Sequence, residues 1–369
     1  MRILVVNAGS SSLKLRVLDD ADQVAGSADL SPPRGPADDA ATVEAVERLR
    51  PVDAVGHRIV HGGSLYSQAV LLDAAVEERL RALVDYAPLH QPKSLAALTA
   101  VKAVLPEVPA VACFDTAFHA TLPPAAATYA LPREWRLRWD LRRFGFHGLS
   151  HAYATRRAAE LLGASVESLR LVICHLGAGA SLAAVAHGRS VDTTMGFTPL
   201  DGLVMATRSG SVDPGLVLWL EEHVGMPSAE LAAALDNRAG LLGLAGTSDM
   251  KVLIEAAERG DWEASLALDV YVHRLRASIA AMTASLGGLD ALVFTGGVGE
   301  RSSLVRQRAA EGLAYLGVEL DRELNLAAAS DAEIGARGAS VRTLVIVARE
   351  DVQIAHEVRQ VVAGAADSG

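Results

Sequence analysis

The chain has 369 residues, half of them apolar, and a formal charge of −10. That is enough length and apolar content for two cores, and the acidic balance argues against a general binder of nucleic acid or membrane surfaces. The two cysteines, Cys113 and Cys174, sit inside apolar strand patterns, which predicts packed, reduced thiols in a cytoplasmic protein; neither a leader peptide nor an apolar run of membrane-spanning length is evident.

An apolar run at residues 3–6 predicts a buried strand, followed by Asn7, Ala8, Gly9 and three serines, and then by the alternation Leu13, Leu15, Val17. This pattern is a hairpin with a small-residue tip, where backbone N–H groups can approach phosphate oxygens closely. It lacks the order of a Walker loop. A proline-rich loop at 32–36 precedes a helix predicted over 42–50. A strand with Arg58 and two histidines then ends in Gly62-Gly63. His57 and His61 are four apart on a strand, a spacing that makes no obvious zinc site. A helix striped by Val76, Leu80 and Leu83 stops before Pro88. A further helix is predicted over 94–104, and a strand at 108–114 ends in Phe114 and Asp115. Residues 142–151 form a loop carrying His147, which runs into a helix predicted over 151–162.

The pattern then repeats. Residues 171–185 again read as strand, glycine turn and strand, laying His175 on Asn7 and Gly177 on Gly9. A second echo pairs the strand at 110–114 with that at 291–294, since both end in Phe and a small polar turn. Two halves of one topology predict a duplicated α/β domain around a cleft. Within the second half, Asp213 and Pro214 mark a helix start. The spacing of Leu268, Val272, Leu275, Ile279, Met282 and Leu286 predicts a long helix over 262–286, read as core or as a subunit interface. Strands at 291–294 and 343–347 and a final helix at 352–362 close the chain.

Candidate chemistry collects where strands end. Arg58, Arg208, Lys14, Asp115, His147, His175 and Glu350 all stand beside Gly, Ser or Thr turns, and ligands of open α/β sheets bind at the carboxyl ends of strands. Guanidinium forks suit phosphoryl and carboxylate oxygens, while a carboxylate such as Glu350 could hold Mg²⁺ beside phosphates. Each residue also has a plain structural reading. Arg58 would make a surface ion pair, His147 would be a loop histidine, and Glu350 would be a helix-start carboxylate favoured by the dipole.

Residues 5–14 (V-V-N-A-G-S-S-S-L-K) resemble the first signature of the acetate kinase family. Further blocks at 56–63, 114–119, 144–151, 195–202 and 207–210 also resemble that family, and together they run nearly end to end. The resemblance implies an α/β fold of duplicated ribonuclease-H-like (actin-like ATPase) domains with an interdomain cleft, taken as 1–119 plus 352–369 and 120–351. It implies a homodimer that transfers phosphate between ATP and acetate with Mg²⁺ or Mn²⁺; the cytoplasmic location and the lack of a nucleic-acid or membrane partner are expected from the cysteines and the charge instead. By the same resemblance Arg58 and Arg208 hold the acetate and the transferring phosphoryl group, His147 donates to an equatorial oxygen, and Asp115 orients an arginine. Val60, Leu89 and Pro199 wall the acyl pocket. Asn7 and Glu350 position the metal, and Lys14, Ser12, His175, Gly177 and Gly179 meet phosphates. Asp249, Met250, Lys251, Gly297, Val298 and Gly299 belong to the nucleotide pocket.

The chain departs from the family pattern at Ala178, Ser211, Lys251, Arg301 and Arg349, all assigned to the nucleotide side. An acetate kinase of relaxed or non-ATP donor specificity therefore stands as an alternative; propionate or butyrate kinase is another, because one methylene in an apolar pocket is worth only about 1–3 kcal/mol. A non-catalytic nucleotide sensor on the same fold is the reading from another class.

Overall fold

In the computed structural model, which describes residues 1–9, 12–31, 39–88 and 90–366, the chain divides into two units. One comprises Met1–Ala120, Phe146–Tyr153 and Arg349–Gly369, and the other comprises Thr121–Gly145 and Ala154–Ala348. The predicted proline-rich loop at 32–36 and the predicted pocket residue Leu89 lie outside the described residues.

The first unit is built on strands β1 (Ile3–Ala8), β2 (Leu13–Leu18), β3 (Val24–Leu30), β4 (Ala54–Ile59), β5 (Val70–Leu71) and β6 (Ala110–Phe114), in the order β3-β2-β1-β4-β6-β5. β1 and β2 form the antiparallel hairpin, while β4 runs parallel to both β1 and β6. The continuous apolar run of β1 exists because both its faces are covered. Leu4 and Val6 pack with Val46, Ala97 and Val101 on one side. Ile3 and Val5 pack with Ile354 and Val358 of the helix Glu350–Ala366 on the other. That helix lies so close to β4 that a Cβ on Gly56 would stand 2.5 Å from Ile354.

The second unit repeats the plan with β7 (Arg170–Leu176), β8 (Ala180–Ala186), β9 (Arg189–Thr193), β10 (Ala291–Thr295), β11 (Ala332–Glu333) and β12 (Arg342–Val345), ordered β11-β12-β10-β7-β8-β9. The duplication predicted from the hairpins is present as β3-β2-β1-β4-β6 against β9-β8-β7-β10-β12. The second predicted echo is corrected. β10 occupies the place of β4, and the counterpart of β6 is β12, because both units carry two parallel strands beyond the hairpin and short apolar strands look alike in sequence.

The long helix is Trp262–Leu286, capped by Asp261 and ended by Gly287 in the left-handed conformation (φ 63°). Its Leu268, Val272, Leu275, Ile279 and Met282 are buried, so the stripe is core. Four predicted helix starts were too late, the first being that of the helix predicted over 42–50, which is Asp39–Leu49. The other three begin at Gln91, Gly148 and Glu350; Pro92 is accommodated in the first turn because its missing N–H is not needed there. Cys113 and Cys174 are free and fully buried, and burial pushes both thiols up in pKa. Among the described residues no helix is long and apolar enough to cross a membrane.

Candidate active site

In the first unit, the carboxyl ends of β1, β4 and β6 bring Asn7, Arg58 and Asp115 together. Arg58 donates from Nε to both Asp115 oxygens at 3.0 and 3.1 Å, and from Nη2 to Oδ2 at 2.5 Å. Its Nη1 donates to Asn7 Oδ1 at 3.1 Å, and Asn7 Nδ2 in turn donates to Glu350 Oε2 at 2.8 Å. Arg58, Asn7, Asp115 and Glu350 thus form one connected polar chain. Burial pushes the Asp115 carboxyl up, a change that Arg58 opposes. Burial would equally favour a neutral Arg58, and the charges of Asp115 and Glu350 overcome it and hold the guanidinium protonated. A half-buried cation fixed on one side by a carboxylate can turn its remaining N–H groups to an anionic ligand.

His147 reaches this region through its backbone. Gly148 N donates to the carbonyl of Asp115 at 2.8 Å, and a Cβ at Gly148 would stand 2.2 Å from that oxygen. His147 itself has φ 58°, a left-handed conformation that costs a non-glycine residue of order 1 kcal/mol. The peptide ahead of it is held by the buried His119, whose Nε2 pairs with the Phe146 carbonyl at 3.0 Å. Strained backbone over-determined in this way is characteristic of functional turns.

Lys14 stands directly opposite Asn7 across the hairpin and is exposed. The turn between them closes with Gly9 N donating to Ser12 O at 2.8 Å. Val60 is buried at the end of β4. Glu350 opens the last helix, so its carboxylate gains from the dipole as well as from Asn7.

This donor set fits a Mg²⁺ ion that takes one protein carboxylate and shares its remaining positions with phosphates and water. Glu350 offers that carboxylate, whereas the Asn7 amide is engaged at both ends by Glu350 and Arg58. No group of three or more His, Cys, Asp or Glu among the described residues could hold a metal by itself.

In the second unit, Arg208 lies on the loop after Thr207. It donates from Nη1 to the carbonyl of Pro199 at 3.2 Å and stands 3.8 Å from Asp236. Gly240 has room only for hydrogen against this loop, since a Cβ would come within 2.2 Å of Met205 O and 2.6 Å of Arg208 O. Burial raises the Asp236 carboxyl, with Arg208 opposing.

The second hairpin turn carries His175 at the end of β7 and closes with Gly177 N donating to Gly179 O at 3.0 Å. Next to it is a cavity of ≈ 630 Å³. Gly177, Asp249, Met250, Lys251, Gly297 and Val298 all line it, so the structure brings most of the predicted nucleotide residues together. Gly299 lies on the same short helix, Gly296–Arg301. Asp249 acts as a helix cap here, accepting from Lys251 N at 2.8 Å, and Lys251 extends outward, 3.9 Å from Glu255.

Arg301 also lines this cavity, and no ion pair among the described residues holds it. Arg349 differs. It belongs to the first unit, where its guanidinium is clamped on Asp351 at 2.9–3.3 Å and also reaches the carbonyl of Asp22.

Sequence reading missed two residues. Tyr271 is buried and lines the cavity with a hydroxyl that has no partner; its helical spacing reads only as core. Arg306, nearly inaccessible, donates to the carbonyls of Gly299 and Glu300 at 2.9 and 2.7 Å and so fastens the helix that carries Gly297 and Val298.

The duplicated sheet order, with a glycine-turned hairpin in each unit, defines the chain as one of the actin-like ATPase class of two-domain phosphotransferases. The sequence profile of the acetokinase family matches residues 37–356, and the chain belongs to that family. It is 48% identical over 313 residues to the acetate kinase of Microcystis aeruginosa, covering 85% of this chain and 78% of that one. Over nearly the whole length (96% and 98%) it is 40% identical to the acetate kinase of Shouchella clausii. Among solved structures, the acetate kinase of Porphyromonas gingivalis superposes with a TM-score of 0.90 at 32% identity, covering 98% of this chain and 99% of that chain. A propionate kinase from Francisella tularensis superposes equally well, with a TM-score of 0.90 at 35% identity and coverage of 97% and 99%.

Proposed function

We propose that this enzyme is an acetate kinase that catalyses ATP + acetate ⇌ ADP + acetyl phosphate. The observation that carries the reading is the Arg58–Asp115 pair with Asn7 and Glu350 linked behind it, in a family member whose curated relatives are acetate kinases. Acetate is already a carboxylate at neutral pH, so its oxygen can attack the γ-phosphorus without a strong general base. One P–O bond forms as the β–γ bridge breaks, and ADP leaves with the electron pair. What remains is to position both partners in line and to neutralise charge on the phosphoryl oxygens.

In this reading Arg58, oriented by Asp115, binds the carboxylate and the phosphoryl group, and Arg208 supplies a second guanidinium. His147 donates to an equatorial oxygen. Lys14, Ser12, His175, Gly177 and Gly179 meet phosphates. Val60, Leu89 and Pro199 wall the methyl group. The 630 Å³ cavity of the second unit takes the nucleoside, where the buried Tyr271 hydroxyl is ready for a hydrogen bond. Mg²⁺, held by Glu350 with Asn7 orienting that carboxylate, would neutralise phosphate charge when bound.

The enzyme is taken as cytoplasmic and homodimeric. The dimer reading is supported by the helix Pro214–Val224, which leaves Leu216, Leu218, Trp219 and Val224 exposed. Propionate kinase is the second reading, favoured by the Francisella structure, and one methylene in an apolar pocket is worth only about 1–3 kcal/mol. The test is acyl phosphate formation from ATP with acetate, propionate and butyrate. Acetate should give the highest kcat/KM. A higher value with propionate would transfer the assignment to the second reading, and no acyl phosphate from any acid would leave a nucleotide sensor.

A further inference from the structure

A second cavity, of ≈ 270 Å³, lies within the first unit. It opens between β4 and β6, the helix Gln91–Val104 and the β5 segment. Its walls are mostly aliphatic, from Val55, Leu71, Leu98, Val101, Leu105 and Pro109. His57 stands among them, only 2% exposed, with a buried Nδ1 that makes no hydrogen bond. Leaving a buried polar atom unpaired costs about 1–3 kcal/mol, and each such atom calls for a cause. On β4, His57 immediately precedes Arg58, but successive strand residues point to opposite faces, so the imidazole faces away from the polar chain described above.

We infer that this cavity is a binding site for a small uncharged organic molecule with a compact apolar body and one hydroxyl or carbonyl group, which pairs with His57. The charges around it exclude other classes. Glu77, Lys102 and Glu107 line the cavity; Lys102 is engaged by Glu77, so no cation is left over to hold a carboxylate or phosphate, which Glu107 repels. A cation finds Glu77 already occupied, since Lys102 pairs with one of its oxygens and Arg81 with the other at 3.2 Å. The imidazole is neutral at physiological pH because burial lowers its pKa to about 3; one ring nitrogen then donates and the other accepts. A branched C4–C6 alcohol, or a ketone of the same size, has the required combination of one polar group and an aliphatic body.

The test follows the His57 ring nitrogens of the full-length enzyme by long-range ¹H–¹⁵N NMR at pH 7 during titration with 3-methyl-1-butanol. The matched carboxylate, 3-methylbutanoate, serves as the control. The expected result is a saturable shift with the alcohol at millimolar concentration, at least tenfold weaker binding of the carboxylate, and loss of alcohol binding in Val101→Phe, which fills the cavity without touching His57 chemistry. The proposal is overturned if the wild-type His57 signals do not respond to the alcohol up to its solubility limit. It is equally overturned if the carboxylate binds as tightly, or if a folded Val101→Phe variant still binds. A co-crystal with the alcohol provides a second reading, and density elsewhere with this cavity empty would also reject the site.

Discussion

Asp115 holds Arg58 with its side chain and Gly148 with its main chain: Arg58 Nη2 donates to Oδ2 at 2.5 Å, and Gly148 N donates to the carbonyl at 2.8 Å. One residue at the end of β6 therefore sets both the guanidinium and the turn that carries His147. Because a Cβ at Gly148 would meet Asp115 O at 2.2 Å, Gly148→Ala must push the two apart. We expect a fall in kcat of about 10²-fold or more, on the scale seen when a reacting group is misplaced by an ångström, with far-UV circular dichroism unchanged. Turnover within a few-fold of wild type would mean that the Asp115–Gly148 contact does not position the reaction.

Removing the charges themselves should act more directly. Arg58→Ala and Arg208→Ala are each expected to lower kcat by about 10²–10³-fold, the range for losing a donor to developing charge. The two should differ in stability. Arg58→Ala leaves Asp115 buried without its partner, a strongly destabilising change. Arg208 makes a looser ion pair, 3.8 Å from Asp236, and its loss should be milder. Steady-state kinetics and urea unfolding of both variants check this, and an unimpaired kcat in either variant would remove that arginine from the transition state.

Glu350→Ala should raise the Mg²⁺ concentration needed for half-maximal rate by about tenfold or more, because one carboxylate is the whole of the proposed protein ligation. Asn7→Ala should give a smaller rise, since that amide orients Glu350 from its Nδ2. A Mg²⁺ titration unchanged by Glu350→Ala would leave Glu350 as a helix-start carboxylate only.

Acid should destabilise the first unit through its buried imidazoles. Burial lowers the pKa of folded His57 to about 3 and of His61 to about 4, against 6.5 when unfolded. Between those values the unfolded chain binds more protons, so stability is intact above pH 6.5 and is lost progressively as pH falls through the window. Each histidine contributes about 1.4 kcal/mol per pH unit there. Urea midpoints measured from pH 7.5 to 5 should fall, and His57→Leu should make the decline shallower. An identical slope in that variant would show that His57 protonates freely in the folded state.

The parts of this protein that were legible in sequence are those with a local signature. The two hairpins announced themselves by apolar runs broken at Gly9 and Gly177, and the repeat of that unit carried the duplication. The pairing of β6 with β10 failed because a short buried strand has no feature beyond its apolarity, so only the sheet order separates β4 from β6. Arg58 and Asp115 were legible as polar residues ending apolar strands, and Asn7 through the family signature, but their mutual hydrogen bonds depend on strand order. The left-handed His147 has no signal of its own, though the small residue after it, Gly148, was a hint that backbone approaches closely there. Tyr271 was invisible, because a helical stripe does not distinguish a core hydroxyl from one that faces a cavity.

Arg301 and Arg349 looked equivalent in sequence, as two added cations on the nucleotide side, and their surroundings separate them. Arg349 is paired with Asp351 through three hydrogen bonds of 2.9–3.3 Å, belongs to the first unit and does not line the cavity. Arg301 stands exposed on the wall of the 630 Å³ cavity, close in sequence to Gly297 and Val298, with no ion pair among the described residues. An unpaired guanidinium there should attract phosphates, whereas Lys251, directed outward beside Glu255, gives little hold on a base. The contact would depend on the polyphosphate that all nucleoside triphosphates share, so discrimination among bases should be weak. Arg301→Asn is therefore expected to raise KM for ATP and GTP alike by about tenfold, the worth of one charge-assisted contact. Arg349→Asn should leave both within about twofold. Pyrophosphate, assayed as donor in parallel, separates a site that needs only phosphates from one that also needs the nucleoside. An ATP preference over GTP of several hundredfold, untouched by Arg301→Asn, would show that base contacts elsewhere in the cavity dominate and that Arg301 is a solvated surface charge.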